Sequence, residues 1–129
     1  MIKALRVSMI VYAVLLILMS MVDLIAPDQI TKLLGFENAA GYAKWLAAAG
    51  DASAVAAGIW IIVASRNPLQ NINLLRFAIT LPILLLVIDI QSVIRGYVDF
   101  NKMAPPIVFD AVFATLFLVL YPWRKASVK

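Results

Sequence analysis

The sequence predicts an all-α integral membrane protein, a four-helix bundle with a short interfacial helix after the first transmembrane span. Three observations carry that reading. The 129-residue chain is 64% hydrophobic and 14% charged, against roughly 45–50% and about 25% in a soluble domain. Its apolar residues gather in four stretches, at about residues 5–25, 42–64, 72–94 and 106–121. Its charges gather mostly between and beyond those stretches. A water-soluble fold of this length has no interior large enough for so much apolar surface.

Each element follows from its own residues. About 20 apolar residues cross ~30 Å of hydrocarbon; three stretches approach that length and the fourth is slightly short. They must be helices, because lipid offers no partner to open backbone groups. A cleaved signal peptide is the alternative for the first. Its apolar core is too long for that role, and no clear small-x-small cleavage site precedes Pro27. Next, Pro27 and Asp28 suit a helix start. Ile30, Leu33 and Leu34 follow at helical spacing, and Gly35 can end the helix. Residues 27–34 therefore read as an amphipathic helix at the outer interface, with a packed loop as the alternative.

The second stretch is dense in small residues, with Gly50, Ala54 and Gly58 at four-residue spacing. Such rows let helix backbones approach closely in lipid. They serve either packing within the bundle or an interface with a second copy or a partner subunit. In the third stretch Pro82 removes a backbone donor and is expected to kink the helix. Pro105 and Pro106 mark the start of the fourth. With no internal repeat or linker, residues 1–129 read as a single transmembrane domain.

Charge sets the expected orientation. With the N-terminus inside, Lys3, Arg6, Arg66, Arg76, Arg124, Lys125 and Lys129 are cytoplasmic. Lys32, Lys44, Arg95 and Lys102 lie outside, balanced by Asp23, Asp28, Glu37 and Asp99. The excess of inner cations favours both termini inside. Tyr42, Trp45, Tyr97 and Phe100 would then line the outer interface, and Tyr121 and Trp123 the inner one. The net charge of +4 comes without a basic helix or any Lys/Arg run longer than Arg124-Lys125, so nucleic acid is excluded as a partner.

The chain has no cysteine and no histidine. That removes disulfides, thiol catalysis, Fe–S ligation and His-based haem or zinc. No cofactor or metal is expected, and acid–base chemistry falls to carboxylates, Lys or Tyr.

The candidate site residues are polar groups in apolar surroundings. Asp51, Asp89 and Asp110 lie inside the stretches, where a charge costs about 2.5–3.5 kcal/mol on insertion scales. All three are expected in the outer half of the bilayer, lining a polar cavity that opens outward, with Lys44, Gln91 and Arg95 near its mouth. They read as interhelical ties that hold the bundle, as a binding site for a proton or a small cationic or lipid-like ligand, or as a paired acid and base.

The order of features resembles small four-helix bacterial membrane proteins of the kind grouped as BphX-like and, more distantly, DoxX-like. The likeness lies in Pro27 through Leu34-Gly35 after the first span. It continues in a small-residue second span closing with Ser65-Arg66-Asn67-Pro68. The resemblance implies a multi-pass protein of the bacterial cytoplasmic membrane and supplies no catalytic residue.

These features point first to a non-enzymatic membrane protein. It would bind a small ligand or a partner subunit through the bundle interior. A small oligomeric transporter or channel for a cation or proton is the alternative. A lipid- or quinone-modifying enzyme comes third, since nucleophile, metal-ligand set and phosphate loop are all missing from the sequence.

Overall fold

The structure is a computed structural model that describes residues 1–35 and 41–123. Glu37, Arg124, Lys125 and Lys129 lie outside the described residues, as do the side chains of Leu34 and Tyr42. Five helices follow one another: α1 (Ile2–Ile25), α2 (Pro27–Leu34), α3 (Gly41–Arg66), α4 (Ile72–Ile94) and α5 (Phe100–Leu120). All but α2 are long and apolar enough to cross a membrane.

The long helices run alternately up and down and close a ring, in which α1 packs on α3, α3 on α4, α4 on α5 and α5 on α1. One end of the ring carries the first residue and the α3–α4 turn. The other carries α2 and the α4–α5 turn. The α1–α3 seam is the most extensive, and its closeness has a cause. A Cβ built on Gly58 would meet Ile17 Cγ1 at 2.5 Å and the Ala13 carbonyl at 3.1 Å. A larger residue fits there only if the Ile17 side chain shifts and the α1 backbone gives slightly at Ala13.

The core is a column of Leu5, Met9, Tyr12, Leu16, Ile61, Leu75, Phe113 and Phe117. Tyr12 stands between three rings of α5, with centroids 5.6 Å from Phe109, 5.0 Å from Phe113 and 5.4 Å from Phe117. At the termini end the Arg76 Nε donates to the Tyr121 hydroxyl at 3.3 Å, which sets the register of α4 against α5.

One local expectation needs adjustment. Helix α5 begins at Phe100, more than a turn before Pro106. Asp99 stands in extended conformation at its N-cap, and Pro105 and Pro106 fall within the first two turns. There they forfeit two backbone donors that would otherwise bond the Asn101 and Lys102 carbonyls. Helix α2 ends as the sequence suggests, with Gly35 left-handed at φ 82°.

Candidate functional site

The hydroxyls within the long helices are mostly used up locally. Ser53 donates to the Ala49 carbonyl, Ser65 to Ile62, Thr80 to Arg76 and Ser92 to Ile88. This back-bonding lets a hydroxyl sit in apolar surroundings at little cost. It also takes Ser92 out of reach as a donor to Asp89.

The carboxyls are different, and they fall into two pairs. Asp51 of α3 stands close enough to the Asp23 carboxyl and the Ser20 hydroxyl of α1 to interact with both. Ser20 is 5% exposed. This first pair sits on the α1–α3 seam, toward the end that carries α2. In the second pair, Asp110 of α5 is 5% exposed and stands near enough to Asp89 of α4 for their charges to interact.

The pairs lie at different depths. Tyr12 is level with Phe113, so Asp110 is level with about residue 15 of α1. Asp23 is then about eight residues further along, or ~12 Å at 1.5 Å per residue. Residue 110 is also the midpoint of α5 as it stands. The early start of that helix draws Asp110 toward the middle of the bundle, deeper than a start at Pro106 implies. A single outward cavity lined by all three aspartates is therefore replaced by two stations.

The three residues expected at the mouth stand elsewhere. Lys44 Nζ lies 3.3 Å from Asp28 Oδ1 of α2. It shares a helix face with Asp51, but at about 10 Å along the axis it reaches up to α2 instead. The Arg95 guanidinium donates to the Tyr97 hydroxyl at 3.5 Å, and Gln91 is exposed. Among the described residues no ion pair involves either carboxyl pair.

Sequence reasoning did not single out Tyr12, and it counted Asp23 only as an outer-side charge near the end of the first helix. Tyr12 is completely buried, and its hydroxyl has no hydrogen-bond partner. Asp110 is the charge that acts on it. The spacing of Ser20 and Asp23, one turn apart on α1, is the signal that could have revealed the first pair.

The small-residue row divides along its length. Gly58 is buried against α1 and Ala54 is partly buried, but Gly50 is exposed and has open space where a Cβ would stand. A four-residue step advances 400°, so the row winds about 40° per step around the helix. It cannot stay in one seam.

No family model, curated protein or solved structure matches this chain. The resemblance to BphX-like and DoxX-like proteins thus rests on the sequence features alone.

Proposed function

We propose that this chain is a non-enzymatic multi-pass membrane protein, with both termini cytoplasmic, that binds a small cationic ligand through carboxyl pairs inside its bundle. Membrane insertion is supported by the outward faces of the long helices. Val7, Val11 and Leu18 on α1 are exposed, as are Ile59 and Trp60 on α3, Leu84, Val87 and Ile88 on α4, and Val108 and Val119 on α5. Water would penalise every one of them, whereas lipid does not. The binding role is carried by one observation: two carboxyl pairs lie within apolar helices, and no lysine or arginine of the described residues is paired with them. Charges in such positions normally have a partner, and a bound cation supplies it.

Native mass spectrometry of the protein extracted from its own membrane tests this. The wild type should retain a non-lipid adduct that Asp51→Asn or Asp110→Asn loses at unchanged thermal stability. If both variants unfold, or retain the adduct, the carboxyls are structural ties and the binding role falls.

The two depths favour one further reading, a transporter that passes a cation or proton from one pair to the other. Four helices leave little room for a pore in one protomer, so transport would use a dimer or larger assembly. Flux into proteoliposomes would support it. Absence of proton and cation flux at several pH values would remove it.

A further inference from the structure

We propose that Asp110, Asp89 and the Tyr12 hydroxyl form a binding site for a small monovalent metal cation near the middle of the bundle. The inference rests on the reading of the bundle interior as a cation-binding one, and it names the ligand class at the deeper pair.

The first observation is the orphaned phenol. A buried hydroxyl without a partner is costly, and Tyr12 is 0% exposed with its hydroxyl unbonded. Its ring is held from several sides by Phe109, Phe113 and Phe117, so the hydroxyl cannot swing away to solvent. A phenol oxygen can serve as a neutral oxygen ligand beside carboxylates.

The second observation is the face of α5. Asp110, Phe113 and Phe117 recur at spacings of three and four, and all are buried, so they point into the bundle together. Asp110 thus belongs to the face whose rings pack on Tyr12, while α4 contributes Asp89 from its side. Asp110 stands near enough to act electrostatically on both Asp89 and Tyr12, and among the described residues no lysine or arginine is ion-paired with either aspartate.

Size and charge select the class. Calcium takes six to eight oxygen ligands, and magnesium keeps an octahedral shell with several waters. Here the rings of Tyr12 and its phenylalanine neighbours occupy much of the surroundings. Among the described residues no three His, Cys, Asp or Glu side chains gather as a metal site, and two carboxyls with one phenol are too few oxygens for either divalent ion. An organic ammonium would have to part rings that already pack at 4.9–5.9 Å. A desolvated alkali cation needs only a volume near that of one water.

The test uses the whole chain in lipid nanodiscs. Thermal stability is measured in sodium, potassium and lithium chloride against choline chloride at equal ionic strength, and sodium-22 binding is followed by scintillation proximity. At least one alkali cation should raise Tm saturably above choline, as preferential binding to the folded state requires. Tyr12→Phe keeps the ring packing, and its Tm in choline should not fall. It should nonetheless weaken binding by about tenfold, a loss of roughly 1.4 kcal/mol. Asp110→Asn should weaken it further, and Asp28→Asn should leave it unchanged. If Asp110→Asn fails to fold, Tyr12→Phe decides alone.

Superimposable curves in all four salts overturn the proposal, as does a Tyr12→Phe protein with the full cation response. A Tm that follows pH but not the alkali ion assigns the site to a proton and overturns it equally. Inert salts with a native adduct still lost in Asp110→Asn remove the metal cation but leave the binding role. Inert salts with no adduct remove both.

Discussion

Gly58 and Gly50 stand eight residues apart on one helix and should respond oppositely to the same change. Alanine at an open helical position gains roughly 0.5–1 kcal/mol over glycine. Gly50 has nothing within 4 Å of a built Cβ, so Gly50→Ala should raise Tm slightly in detergent. At Gly58 the same methyl collides with Ile17 and the Ala13 carbonyl. Overpacking of this kind costs typically 1–3 kcal/mol, which outweighs the propensity gain, so Gly58→Ala should lower Tm. Equal shifts for the two variants would show that the α1–α3 seam is looser than described. At this scale the sequence reveals residue types but not their partners. It picks out Asp51, Asp89 and Asp110 because a carboxyl in an apolar run is conspicuous in one dimension. It cannot show that Asp51 meets Asp23 while Asp110 meets Asp89, because pairing depends on how each helix slides along its neighbour. Tyr12 passes unnoticed for the same reason, since a tyrosine in an apolar helix is ordinary until its hydroxyl is found without a partner.

Helix α2 shows how an element can be legible while its tether is not. Its proline start, its spacing of Ile30 and Leu33, and its glycine end are all local chemistry, and they appear at Pro27–Leu34. Its link to α3 through Asp28 and Lys44 is tertiary. The Asp28 side chain is 87% exposed and that of Lys44 41%, so the pair is screened and contributes little. Lys44→Ala should lower stability by no more than about 0.5 kcal/mol, and thermal unfolding in detergent measures it. A loss several times larger would mean that Lys44 has a second role at the carboxyl pair of the α1–α3 seam. The start of α5 is harder to read from sequence than its end. A double proline usually signals a boundary, yet the first turn of a helix has no internal acceptors for its N–H groups, and turns close to the start can absorb such a loss. The helix therefore runs back to Phe100 through Pro105 and Pro106, and that extension sets the depth of Asp110.

Orientation belongs to the molecule as a whole, because no single helix determines it. Among the described residues the termini end carries Lys3, Arg6, Arg66 and Arg76. At the α2 end the bases Lys32, Lys44, Arg95 and Lys102 are offset by the acids Asp23, Asp28 and Asp99 among the described residues. Cytoplasmic loops collect lysine and arginine, so the α2 end should face outward. The natural absence of cysteine makes this simple to test. Gln70 in the α3–α4 turn and Asn101 at the start of α5 are both exposed, at opposite ends. In intact cells a membrane-impermeant maleimide should label Asn101→Cys at once and Gln70→Cys only after lysis. The opposite pattern would carry a consequence beyond topology. The Asp23–Asp51 pair lies nearer the α2 end than Asp89 and Asp110, so it is the first carboxyl station a cation meets from that side. With the α2 end inward, that station would open to the cytoplasm. A ligand taken from outside would then have to pass Arg76 and Tyr121 at the termini end before reaching any acid, and cations would be repelled there. An outward-opening cation site therefore stands or falls with the labelling of Asn101→Cys.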